Sequence, residues 1–272
     1  MRKRLPSFFF IMSFFLIFSA CAITKTQKIG GGSKQRFSSP LVVLEKIDSD
    51  NQFKDGIKAI ARIEVNTPQG RYPLKAALVL KKPSSLRLET IPVIGPADLF
   101  LTVHENVLKV FVPQNGKFYI GKATTRNLAH FIPIAATVLG IEDMTSILLG
   151  MHPEIRGKTI TLDGSSDGSL YRVDILSENK KIQSLWVDPE EDHLVRVDLF
   201  AGNNSRLFSA RFMGRDRIEN MTLPQNVTIA YGDNDKPDII IRYVDIGPAK
   251  GIDATIFDLK PPPGVIPISM DR

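Results

Sequence analysis

The sequence is poor in the residues from which most chemical sites are built. Of its 272 residues, one is cysteine, one is tryptophan and four are histidine. A single thiol excludes an intramolecular disulfide, so the fold must be held by packing alone. His104, His130, His152 and His193 lie far apart, and no pair has the helical spacing of metal ligands. There is no nucleophile elbow, phosphate loop or Cys/His constellation. Glu190-Glu191-Asp192-His193 and Asp233-Asn234-Asp235 are acidic runs, but hairpin turns favour the same residues. These absences point away from an enzyme, and no cofactor or metal is expected. Blocks of one charge are missing too. Lysine and arginine alternate with acids along the chain, which argues against a nucleic-acid partner.

What is present begins at the N-terminus. Arg2, Lys3 and Arg4 form a basic region, followed by an almost wholly apolar run from Ser7 to Phe18. That run is short for a transmembrane helix, which needs roughly 20 apolar residues, but it suits the core of a signal peptide. Two small residues, Ser19 and Ala20, then precede Cys21. Phe18-Ser19-Ala20-Cys21 resembles the lipobox of bacterial lipoprotein precursors, with Phe18 where leucine is commonest. The resemblance implies cleavage after residue 20 and acylation of Cys21; an uncleaved anchor, or secretion with a free thiol, is the alternative.

Loss of residues 1–20 removes three cations and no acid, so the net charge falls from +6 to +3, with 32 basic against 29 acidic side chains. Ala22 to Ser39 is polar and small, centred on Gly30-Gly31-Gly32-Ser33. Such a segment behaves as a flexible tether with a root-mean-square reach of about 25 Å. Ala22 is not the Asp that retains lipoprotein at the inner membrane under enterobacterial rules. The expected location is therefore the outer membrane, facing the periplasm.

Beyond the tether, Ser39 and Pro40 read as the cap and first residue of a short helix, ending near Asp50, whose apolar stripe is Leu41, Leu44 and Ile47 with Val43 as a further candidate. The apolar period then changes to two. Ile57, Ala59, Ala61, Ile63 and Val65 alternate with Lys58, Arg62, Glu64 and Asn66, and Tyr72, Leu74, Ala76, Leu78 and Leu80 follow. Further strand-like runs extend to Ile246, joined by turn signals that include Gln114-Asn115-Gly116, Asp163-Gly164-Ser165 and Gly202-Asn203-Asn204. Between Thr124 and Gly150 lie two helical patterns. One carries Leu128, Phe131 and Ile132 before Pro133; the other runs from about Ile141 to Leu149, with Gly150 closing it. The expected fold class is mainly β (α+β): one large curved antiparallel sheet with short helices on its open side.

Leu86-Arg87-Leu88-Glu89, the loop Thr90-Ile91-Pro92-Val93-Ile94-Gly95-Pro96, the hairpin at Asn115-Gly116-Lys117 and the helix end Ile147-Leu148-Leu149-Gly150-Met151-His152-Pro153 resemble the LolB-like lipoprotein acceptors of the Gram-negative outer membrane and their LolA-like periplasmic carriers. The tail from Phe257 to Val265 resembles the final strand and exit of the carrier. The resemblance implies an incomplete β-barrel of about eleven strands over residues 40–265, with 266–272 as a tail. It further implies an apolar cavity, lidded by helices, that receives lipoprotein acyl chains. Ile63, Val65, Leu78, Leu80, Leu88, Leu101, Val110, Phe131, Leu148 and Trp186 are the expected lining, subject to strand register; a filled core is the alternative. In LolB the matching loop exposes an apolar residue to the membrane, which implies that role for Ile91, Val93 and Ile94, unless they fold back onto the sheet.

The implied protein is a monomeric acceptor, tethered through its lipid. It takes acyl chains from a soluble LolA-like carrier and passes them to the outer membrane. A module of the same fold for another lipid, or a sensor of mislocalised lipoproteins, is one alternative. A structural envelope lipoprotein with a filled core is another.

Overall fold

A computed structural model describes residues 39–50, 56–131, 139–219 and 221–271. Cys21, the leader and most of the tether lie outside these residues, as do Ile132 and Pro133. Residues Gln35–Arg272 form one compact unit that holds every described buried side chain. No described helix is long and apolar enough to cross a membrane.

Helix α1 (Pro40–Asp50) starts where its cap signal lies. Ser39 Oγ accepts from the Val42 N–H at 3.3 Å, and Pro40 occupies the first turn. A first meander follows: β1 (Gly56–Thr67), β2 (Gly70–Lys81), β3 (Ser85–Thr90), β4 (Phe100–His104), β5 (Val107–Val112) and β6 (Lys117–Lys122). After α2 (Thr125–Ala129) and α3 (Ile141–Leu148) comes a second: β7 (Ile160–Asp167), β8 (Leu170–Ser177), β9 (Lys180–Asp188), β10 (His193–Phe200), β11 (Arg206–Ile218), β12 (Met221–Tyr231) and β13 (Ile239–Ala249). The meanders join where β1 pairs antiparallel with β13, Ile63 opposite Ile241. A final two-residue strand, β14 (Ile268–Ser269), runs parallel to β6. The product is one open, curved sheet in the order β14-β6-β5-β4-β3-β2-β1-β13-β12-β11-β10-β9-β8-β7, with few short helices. It has fourteen strands, more than the expected eleven.

Alternation sends one side of most strands inward. Ile57, Ala61, Leu80, Leu101 and Val110 from the first meander meet Val173, Leu185, Val197, Phe208 and Ile229 from the second in one continuous core. Val43, Leu44 and Ile47 of α1 and Met144, Ile147 and Leu148 of α3 complete it from the inner side. Each large aliphatic group so buried contributes about 2 kcal/mol.

The outer face is finished differently on each meander. Over the first, residues 252–271 run as a strap: Phe257 stacks on His104 with centroids 5.5 Å apart, and Lys109 pairs with Asp258 at 2.6 Å. Arg87 donates to the Ile256 carbonyl. Met270 N–H then bonds the Ile120 carbonyl, and Asp271 accepts from Lys122 N–H. The tail after residue 265 is thus stitched into the sheet edge rather than lying outside the domain. The expected terminal strand at Phe257 is instead a 3-10 turn, Ala254–Phe257, capped by Asp253. On the second meander the outer face carries paired arginines and aspartates around Trp186.

Two local readings change. Asp163-Gly164-Ser165 lies inside β7, not in a turn. Gly164 is there because the Tyr171 side chain occupies the space a Cβ would need, and the turn falls at Gly168, φ +64°. Helix α2 closes at Ala129, so Phe131 lies beyond it and packs on Tyr119 at 5.3 Å.

Candidate functional site

The loop between β3 and β4 has a fixed base and a bare tip. Thr90 Oγ1 accepts from both Asp98 N–H (2.9 Å) and Leu99 N–H (3.0 Å), and Thr90 N–H donates to the Leu99 carbonyl. Ile91 N–H bonds the Lys75 carbonyl at 2.7 Å, and Gln114 donates to Asp98 at 2.9 Å. Pro92 and Pro96 narrow the backbone choices, while Gly95 takes φ +90°. From this base Val93 stands 100% exposed and Ile94 91% exposed. Neither folds back onto the sheet. Ile91, nearer the base, is half-buried.

Beside the loop opens a groove of about 980 Å³, lined by Thr90, Ile91, Pro92, Val93 and Asp98 of the loop and, on the sheet, by the cations Arg62, Lys75 and Arg242 with Glu64, Ile63, Pro73 and Leu74. The register sets Arg62 directly opposite Lys75 on one side and Arg242 on the other. Opposed residues share a face with Cβ atoms about 5 Å apart, so three exposed cations stand abreast on the outer surface. The nearby acids are engaged elsewhere: Glu64 pairs with Arg71 at 3.2 Å and Asp98 with Gln114. Among the described residues, Arg62, Lys75 and Arg242 have no ion pair or side-chain hydrogen bond.

The inner face is packed over most of its length. Leu80, Leu101 and Val110 are fully buried in the common core, with Leu78 and Leu148 nearly so. Leu88, Val65 and Phe131 are half-buried against it. Trp186 is placed differently from expectation. It lies on the outer face under Arg196, because alternation in β9 turns its neighbours Leu185 and Val187 inward. The covering stops toward the β1–β2 turn. Along the inner side of β2, exposure rises from 0% at Ala76 to 36% at Leu74 and 52% at Tyr72, leaving an apolar strip uncovered.

The lid over the packed part is fastened by polar contacts. Tyr243, inward on β13, donates from its hydroxyl to the Leu148 carbonyl at 2.7 Å, and burial holds its pKa above the usual tyrosine range. Arg156 reaches Asp143 at 3.1 Å and Glu154 at 3.3 Å. His152 joins Asp48 of α1 at 2.9 Å and the Pro153 carbonyl at 2.7 Å. These groups line a polar cleft of about 580 Å³ with Lys82, whose pKa burial lowers against the pull of Asp48. Another cleft, of about 410 Å³, holds Lys46, Glu191, Asp192, His193, Arg215 and Arg217. Burial pushes the Arg215 pKa down to about 10, with Glu191 opposing. Among the described residues no three His, Cys, Asp or Glu side chains converge as a metal site would need.

Sequence reasoning found the loop and missed the cation row. Arg62 and Lys75 read as ordinary outward positions of two strands. Their alignment with Arg242 depends on the β1–β13 pairing, which joins opposite ends of the chain.

No family model and no curated protein matches the sequence. Solved structures do match the fold. A LolA superfamily protein from Nitrosomonas europaea superposes with a TM-score of 0.56 at 13% identity, over 82% of this chain and 99% of that one. A domain described as an outer membrane lipoprotein-sorting protein, from Vibrio parahaemolyticus, gives 0.53 at 11% identity, over 80% and 95%. A DUF1329 family protein from Desulfovibrio piger gives 0.53 at 10% identity, over the same shares. At such identities the likeness is one of fold alone: a large open antiparallel sheet with few short helices, like those of these three proteins.

Proposed function

We propose that this chain is a lipid-anchored acceptor at the periplasmic face of the outer membrane, receiving lipoprotein acyl chains and delivering them to the bilayer. The observation that carries this reading is the Val93–Ile94 tip, two fully presented aliphatic residues on a loop whose base is hydrogen-bonded at both ends. Solvated loops rarely offer such a tip, and a bilayer surface satisfies it. The lipoprotein-sorting description of one fold neighbour agrees with the reading. Acyl chains would enter over Val65, Tyr72 and Leu74, where the inner face is uncovered, and would displace the helices that fill the rest. Each methylene moved from water into such a site contributes about 0.8 kcal/mol. Cys21, acylated, would keep the site near the receiving membrane, and transfer would run on relative affinity without nucleotide.

The packed inner face favours a second reading, a structural envelope lipoprotein that binds no acyl chain. Photo-crosslinking from Leu74 and Leu101 separates the two. Acyl adducts from both positions are expected of an acceptor; adducts from neither would leave the structural reading. Val93→Glu with Ile94→Glu should abolish delivery of bound lipoprotein to membranes while sparing capture and stability, because both side chains already face solvent. Delivery at the parent rate would remove the role assigned to the loop.

A further inference from the structure

We infer that the Lys75–Arg62–Arg242 row docks the protein onto the anionic headgroups of a bilayer, beside the point where the Val93–Ile94 tip enters. The inference rests on the membrane-touching reading of the loop and adds the lipid class to it. Like charges in directly opposed strand positions repel and weaken a sheet, and here two such repulsions are adjacent, Lys75 to Arg62 and Arg62 to Arg242. No described carboxylate forms an ion pair with them; the two acids of the groove, Glu64 and Asp98, are turned to Arg71 and Gln114. The same outer face does provide acids where cations crowd: Arg172 meets Asp174, Arg196 and Arg206 meet Asp198, and Arg211 meets Asp235. The uncompensated row therefore stands out within its own sheet.

Its surroundings indicate what compensates it. The row and Val93 line one groove, so anionic and apolar partners are called for side by side. The anionic leaflet of a bilayer supplies both within a few ångströms, whereas a free anion would leave the apolar tip in water. A cation held near such a surface strengthens binding roughly five-fold, so three acting together are worth roughly 100-fold, an effect that salt screens.

Flotation of the Gln35–Arg272 unit, which contains the whole described core, with two vesicle types tests this. One type is phosphatidylcholine, the other phosphatidylcholine with phosphatidylglycerol. At low salt the mixed vesicles should bind roughly 100-fold more tightly. The triple variant Arg62→Gln, Lys75→Gln, Arg242→Gln should fall to the phosphatidylcholine level, while Arg62→Lys with Arg242→Lys keeps the preference. Equal binding of the parent to both vesicles, or an undiminished preference in the triple variant, overturns the inference and leaves the loop reading standing. Release by inorganic phosphate at matched ionic strength would mean a soluble-anion site and overturns it as well. Absence of all vesicle binding overturns both readings. Val93→Ser with Ile94→Ser, which removes the apolar tip without adding charge, should weaken binding to both vesicle types alike and reports on the loop alone.

Discussion

On the outer face of the second meander, Arg172, Trp186, Arg196 and Arg211 occupy consecutive opposed positions, and the arginines pair with carboxylates: Asp174 and Asp198 two residues along the strands and Asp235 in the β12–β13 turn. Arg196 lies over the Trp186 ring at 4.3 Å and bonds Asp198 at 2.6 Å; Trp186 Nε1 donates to Asp167 at 2.7 Å; Arg206 and Arg211 both reach Asp235. On the adjoining strands β2, β1 and β13, the same geometry holds three cations and no compensating acid. One charged row holds its strands together. The other strains them and is free to meet a partner. The sheet geometry is the same in both, so the difference lies in side-chain choice alone, and it separates a structural surface from a recognition surface.

Breaking the compensated row should have the largest effect on stability. Asp198 is 3% exposed and serves both Arg196 and Arg206. Asp198→Ala leaves the half-buried Arg196 guanidinium without its acid and takes one of two carboxylates from Arg206, and should lower the unfolding free energy by about 3 kcal/mol, read as a shift of the urea midpoint. A loss below about 1 kcal/mol would place this row among ordinary surface ion pairs. The uncompensated row should respond in the opposite sense. Arg62→Gln with Arg242→Gln relieves a repulsion and should raise stability by about 0.5 kcal/mol. A clear loss instead would mean that the arginines support the sheet and that the contrast is false.

The two rows also differ in how far they can be read in the sequence. Strand positions and the inner face follow from two-residue alternation, as Ile57–Val65 and Tyr72–Leu80 show, and the cap at Ser39-Pro40 and the bare tip at Val93-Ile94 follow from local chemistry. What local chemistry cannot give is pairing between segments far apart in the chain. The β1–β13 junction aligns Arg62 with Arg242 only once both meanders are closed. Trp186 was misplaced for a related reason: Ser184, Leu185, Trp186 and Val187 are all buried, so exposure in β9 does not alternate and the inward side cannot be told by composition. The strap is illegible for another cause. Residues 252–271 have little periodicity, and their order comes from single contacts such as Phe257 on His104 and Lys109 with Asp258.

Acid sharpens the comparison with the smallest expected effect. The Asp235 carboxyl is held below its ordinary 3.8 by the hydrogen bond and charge of Arg206, and Asp258 is held below 3.8 by those of Lys109. For a carboxylate with a depressed folded pKa, stabilisation is complete above the unfolded value and is lost as pH falls through the folded one. The compensated row and the strap should therefore both weaken below about pH 3.8. Asp235→Asn and Asp258→Asn should each flatten the dependence of the urea midpoint on pH in that range, and together flatten it further. The Lys75–Arg62–Arg242 row contains no carboxylate, so its glutamine variant should keep the parent slope. If that variant flattened the acid limb as the aspartate variants do, a carboxylate would have to be coupled to the row, and the row could no longer be counted as uncompensated.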